Sequence, residues 1–308
     1  MASQQMVDTI ESIRQANLAG GNATPPPLPE LRKEIEQFLL SFPQIGGVIN
    51  RPQDANGVPG EWTLLDSAPN VTRTILYFHG GGFVAGSALG NRRIVSSLAL
   101  AAGARALSMD YRLAPENPFP AALDDAVTAY DWLIGEGGVA PSEVILAGDS
   151  AGANLSAALL LRLSDEDKAL PAGAFLISPP LDVAATGGSR VSQLEDDPFA
   201  MSADFLAHVK SMYAPDTDSG HPYLSPLNGQ FKGLPAILVH VGEYEGLLDD
   251  AVRLAEKAQA VGVDAQLTVW EGAFHVFHQY VGLVPESDQA IAEAGAWMAA
   301  RFDTPASA

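Results

Sequence analysis

Residues Glu143–Asn154 read EVILAGDSAGAN, and this stretch decides the fold. Glu143–Ala147 is a short apolar run of the kind that forms a strand covered on both faces. From Ser150 to Leu163 the pattern changes to a helical one, with Leu155, Leu159, Leu160 and Leu163 along one side. Between strand and helix lies Gly148–Gly152, a G-x-S-x-G sequence. The pattern is short and common; the strand before it and the helix after it give it meaning. A sharp strand-to-helix turn lifts a serine hydroxyl above the end of a sheet, and flanking glycines leave room for that turn. Ser150 is therefore the candidate nucleophile. The competing reading is a glycine-rich turn with a capping serine.

Working outward, Thr74–Phe78 (TILYF), Ala104–Met109, Ala172–Ile177, Ala236–Val241 and Gln266–Trp270 also read as strands. Helical patterns cover Leu247–Val261 and Glu286–Phe302. Alternation of this kind predicts βαβ units in an α/β fold with a doubly wound, mostly parallel sheet. Two segments stand outside it. Ser3–Phe42 holds two amphipathic helices around a Gly/Pro-rich loop, Gly20 to Pro29, and Val191–Tyr213 is too long for a simple crossover. Both suit a helical cap over the sheet, although packing helices and a long crossover would give the same pattern. The expected organisation is a cap segment over 1–45, core over 46–190, a cap insertion over 191–225, and core over 226–308.

Composition removes several classes of function. The chain has 308 residues, 47% of them hydrophobic and 18% charged, which excludes a disordered or coiled-coil protein. With 37 acidic and 17 basic residues its formal charge is -20, the wrong sign for nucleic acid or an anionic membrane surface. There is no cysteine, so thiolate nucleophiles, disulfides and cysteine-bound zinc are excluded. The amino terminus, MASQQMVDTI, lacks the basic start and apolar run of a signal peptide, and no apolar stretch reaches 18 residues. A cytoplasmic enzyme is the expectation.

A second motif, His79–Phe83 (HGGGF), follows the strand Thr74–Phe78. Three glycines there suit main-chain N–H groups that approach a reacting oxyanion closely, together with the N–H of Ala151. A phosphate cradle would need GKS/T or a G-x-G-x-x-G opening a helix, and neither is present. Six histidines compete as base. His79 belongs to the glycine loop, His208 to the proposed cap, His221 to a Pro-rich loop and His240 to an apolar strand. His275 falls in a loop after the last strand, where a Ser…acid…His order puts the base. His278 lies three residues on, but no carboxylate spacing supports a metal site with His275. The acid lies between Val241 and His275: Glu243, Glu245, Asp249, Asp250, and less favourably Asp264 and Glu271. Asp249 and Asp250 open a helix, where carboxylates offset its dipole without any catalytic role. Spacing alone does not choose between Glu243 and Glu245.

Together HGGGF, DYRLAPE (Asp110–Glu116), FPAALDD (Phe119–Asp125) and GDSAGAN (Gly148–Asn154) resemble the hormone-sensitive-lipase-like family of α/β-hydrolases, from about Leu76 to Gln279. The resemblance implies an α/β-hydrolase fold with a helical cap. It carries the nucleophile onto Ser150, the base onto His275, and the oxyanion hole onto Gly81, Gly82 and Ala151. The family's acid sits in D-x-L-x-D, here Glu245-Gly246-Leu247-Leu248-Asp249, so Glu245 takes the role in place of the usual aspartate. Arg112 and Glu116 belong to a structural signature. The implied activity is that of a carboxylesterase on a small-molecule ester, without metal or cofactor, in a possible homodimer. A lactone or activated-amide hydrolase would use the same groups; a non-catalytic receptor on this scaffold would lack the histidine.

Overall fold

A computed structural model describes residues 2–20, 26–199 and 201–302. Its strands are β1 (Val48–Ala55), β2 (Val58–Leu65), β3 (Thr74–Phe78), β4 (Arg105–Met109), β5 (Val144–Asp149), β6 (Gly173–Ile177), β7 (Ala236–Gly242) and β8 (Ala265–Trp270). The helices are α1 (Gln4–Gly20), α2 (Leu28–Leu40), α3 (Arg92–Ala102), α4 (Ala121–Ile134), α5 (Ala151–Asp165), α6 (Ser189–Ser192), α7 (Ala203–Tyr213), α8 (Leu248–Ala260) and α9 (Pro285–Phe302). Among the described residues one sheet runs β1-β2-β4-β3-β5-β6-β7-β8. Pairing is antiparallel from β1 to β4 and parallel from β4 to β8. Side chains of successive strand residues point to opposite faces, so each central strand feeds two cores. Leu76, Phe78 and Leu146 meet Leu123, Tyr130, Leu155, Leu159 and Leu254 on the side of α4, α5 and α8. Ile75, Tyr77, Ile145 and Phe175 meet Ile94, Leu98, Ile291 and Met298 on the side of α3 and α9.

All six strands expected from sequence are present within a residue or two of their predicted ends. The β1–β2 hairpin was not expected, yet it had a signal. Asn56-Gly57 joins the two strands, with both residues at positive φ (57° and 89°), the two-residue turn that suits the twist of a hairpin. Pro52 and Pro59 obscured the strand pattern around it. Helices α3 and α4 were also unassigned. The two segments outside the alternation fold as α1 with α2 and as α6 with α7, while residues 21–25 of the loop predicted over Gly20 to Pro29 lie outside the described residues. Met6 and Ile10 of α1 bury against Phe274 and Phe277, on either side of His275. No helix among the described residues is long and apolar enough to cross a membrane.

Candidate active site

β3, β5, β7 and β8 run parallel, so the segments that follow them meet at one end of the sheet, where open α/β sheets place their reactive groups. Ser150 follows β5 at φ 51° and ψ -120°, a strained conformation for a residue with a side chain. The sequence permits it through its glycines. A Cβ on Gly152 would strike the Phe78 carbonyl, and one on Gly148 the backbone of Gly152. The Ser150 N–H donates to the Ile177 carbonyl at 2.8 Å, which fixes the turn to β6. The side chain is half-buried and reachable.

The HGGGF loop is tied to the same turn. Asp149 Oδ1 accepts from the Gly80 N–H (2.9 Å) and the Tyr77 hydroxyl (2.7 Å). His79 stacks on Tyr111, whose hydroxyl donates to the His79 carbonyl at 2.7 Å. The Gly81 carbonyl accepts from Val84 and Ala85, which turns the loop back on itself. The N–H groups of Gly81, Gly82 and Ala151 have no partner among the described residues and remain available to an oxyanion. Burial drives the Asp149 carboxyl above its ordinary range, against the pull of the Tyr77 hydroxyl, His79 and the Gly80 N–H. Sequence reasoning passed over Asp149, whose neighbour in the motif took all the attention.

Of the candidate acids, Glu245 is the one brought to His275, with Oε2 2.9 Å from Nδ1. Its other oxygen, Oε1, accepts from the Gly242 N–H (2.6 Å) and the Ser178 hydroxyl (2.7 Å). Ser178 also accepts from the N–H of Val276, so one hydroxyl ties the acid to the backbone beside the base. The carboxylate is fully buried and the imidazole nearly so. Burial works against a charged His275, but the Glu245 hydrogen bond and charge, with Asp197 and Asp149 behind them, hold its pKa above the ordinary value. With Nδ1 engaged by Glu245, Nε2 is the nitrogen left for a serine hydroxyl.

The other candidates go elsewhere. Glu243 accepts from the Gly272 N–H, and Asp264 pairs with Arg301. Asp249 and Asp250 open α8 as expected, and both also hold the chain elsewhere. Asp249 Oδ2 accepts from the Ser189 N–H, and Asp250 is fully buried, pairing with Arg190 at 2.7 Å and accepting from Leu181 and Asp182. His278 does not turn to His275; its Nε2 lies 3.1 Å from Nδ1 of His240, and burial lowers the pKa of both rings. Arg112 holds Asp125, and Glu116 holds Arg32 of α2.

Residues 75–279 match the α/β hydrolase fold family. The chain belongs to that family. It is similar to a crystal structure of an esterase from the bacterial hormone-sensitive lipase family, with a TM-score of 0.92 and 37% identity over 98% of this chain and 99% of that one. It is 43% identical over 226 residues to an acetyl-hydrolase of Streptomyces hygroscopicus, covering 73% of this chain and 75% of the relative. An esterase of Acinetobacter venetianus is 36% identical over 286 residues, 92% of this chain and 90% of the relative. In this α/β hydrolase, then, the elbow, the glycine loop and the acid–imidazole pair lie at one end of the sheet.

Proposed function

We propose that this α/β hydrolase is a carboxylesterase whose triad is Ser150, His275 and Glu245. The observation that carries the reading is the 2.9 Å contact of His275 Nδ1 with a carboxylate anchored on its far oxygen, beside a strained serine and free backbone N–H groups. His275 Nε2 takes the proton of Ser150 as its Oγ attacks the acyl carbon. The N–H groups of Gly81, Gly82 and Ala151 stabilise the oxyanion that forms. His275 gives its proton to the leaving alkoxide, then takes one from the water that attacks the acyl-serine and returns it to Ser150 Oγ as the ester bond breaks and the acid is released. Glu245 holds the tautomer and offsets the imidazolium charge.

The segments outside the alternation form the cap. Arg14 and Asn17 of α1 donate to the carbonyls of Asp196 and Pro198, which joins the two segments. Val209 of α7 lies about where a Cβ on Gly82 would make van der Waals contact, and the Phe199 ring centroid is 6.2 Å from that of His275. Apolar side chains so near both ends of the reacting centre favour small and medium acyl groups, in keeping with the acetyl-hydrolase relative. A fluorophosphonate should label the protein on Ser150. The Ser150→Ala variant should take no label and lose hydrolysis of p-nitrophenyl acetate and butyrate. Near-native turnover by a folded Ser150→Ala protein would overturn the mechanism, and preference for lactones over these esters would replace the substrate class.

A further inference from the structure

The loop that carries Glu245 is held from above as well as from β7. Asp197, in the segment between β6 and β7, is buried, and its Oδ2 accepts from the Gly246 N–H at 3.1 Å, one residue beyond Glu245. The same carboxylate accepts from Phe199 (2.9 Å) and Met201 (3.1 Å), which curls the segment around it. On the other side of the loop the Ser189 hydroxyl donates to the Gly246 carbonyl at 2.7 Å. Gly246 has no space for a side chain, since a Cβ would press on the Met201 carbonyl at 2.5 Å. Both peptide groups of Gly246 are thus fixed by residues the fold alternation does not need.

We propose that Asp197 is a positioning residue of the hydrolytic centre: it pins the Glu245 loop through Gly246 and places a second carboxylate behind the acid–imidazole pair. The inference rests on the triad proposed above. The charged groups facing His275 are Glu245 from the loop after β7, Asp149 from the end of β5, and Asp197 from the inserted segment. Asp149 is committed to Tyr77 and Gly80, and Glu245 touches the ring itself. Asp197 is the one of the three contributed by the cap.

Kinetics on four single variants test this. Asp197→Asn keeps one oxygen for Gly246 and removes the charge; the acid limb of its kcat/KM profile should move to lower pH by about 0.5 unit. Asp197→Ala also releases Gly246, and should lower kcat about tenfold while KM changes by less than about threefold, an orientation loss rather than a binding loss. Asp196→Asn, at the exposed neighbour, should leave the limb in place. Glu245→Gln reports on the triad itself. An unmoved limb in Asp197→Asn beside a crippled Glu245→Gln overturns this inference and leaves the triad standing, whatever the melting temperature does. A fully active Glu245→Gln overturns the triad reading. Should Asp197→Ala fail to fold, the near-isosteric Asn variant decides alone.

Discussion

The two halves of the reacting centre are built from different materials. The half around Ser150 is backbone: a strained φ, glycines where a Cβ would strike a carbonyl, and N–H groups of a loop held by Asp149 and Tyr77. The half around His275 is side chains: Glu245 between Ser178 and His275, with Ser189, Asp197, Asp250 and Arg190 behind it. Backbone devices sit within a few residues of one another and tolerate almost no substitution. Side-chain devices are assembled from distant segments and can be altered one group at a time. The first half therefore breaks by losing its shape, the second by losing charge and orientation.

The largest effect that tests this contrast is expected at Glu245. Glu245→Gln should lower kcat by up to ~10⁴-fold, as when a triad aspartate becomes an amide, because the tautomer and the imidazolium both lose support. The pH profile gives the sign. In the proposed mechanism His275 acts as base only when neutral, and its pKa is held above the ordinary imidazole value, so wild-type kcat/KM should rise with pH through a pKa above about 6.5. Removing the Glu245 charge leaves burial, which lowers the pKa, less opposed, so the limb of the residual activity should shift to lower pH. A limb that stays put in Glu245→Gln would separate His275 from the observed ionisation. Glu243→Gln is the control, because Glu243 is occupied with the Gly272 N–H.

A smaller but still large effect is expected from the ion pair behind the acid. Arg190 and Asp250 are both buried, 2.7 Å apart, and join the inserted segment to α8. A carboxylate that only offsets a helix dipole contributes about 1 kcal/mol or less. Burial changes that. Removing one partner leaves Arg190 charged and unpaired, which costs about 3–5 kcal/mol. Urea denaturation at constant m should show the loss for Asp250→Asn, and replacing both residues by apolar ones should recover much of it. A loss below about 1 kcal/mol would return Asp250 to the dipole reading.

The same contrast explains what could be read from sequence. GDSAG and HGGGF are contiguous, and each follows a strand whose apolar run announces it, so the elbow at Ser150 and the glycine loop could be located without a structure, while the resemblance put the oxyanion role on Gly81, Gly82 and Ala151. Among the acids, spacing left Glu243 and Glu245 open until a resemblance supplied the register. The supports were out of reach. Ser178 bonds a carboxylate 67 residues away and an N–H 98 residues away, and no local pattern marks such a serine. Asp197 sits among acidic neighbours in a segment read as a cap insertion, and no local pattern singles it out. The β1–β2 hairpin is a different case, because Asn56-Gly57 was a readable turn.

The smallest effects should come from the clamp on the backbone half. Arg32 of α2 donates through Nε to the Val84 carbonyl (2.6 Å), just past the glycine loop, and through Nη2 to the Ala114 carbonyl (2.8 Å). It also forms a two-pronged pair with Glu116, at 2.9 and 2.7 Å. The Arg32 hydrogen bond holds the Glu116 carboxyl down to about 2, so any contribution is complete above the ordinary carboxylate range and is lost as pH falls through 2. That contribution is small, because Glu116 is 57% exposed and water screens the pair. Glu116→Gln should therefore cost about 1 kcal/mol or less, and added salt should erase the difference from wild type. Arg32→Ala removes the pair and both carbonyl contacts, and should cost about 2 kcal/mol with a modest fall in kcat as the loop below Val84 loosens. If the two variants lose equal stability and both keep kcat, the carbonyl contacts contribute nothing. The glycine loop would then owe its shape to Asp149, Tyr77 and the elbow alone, and the backbone half would be independent of the helix above it.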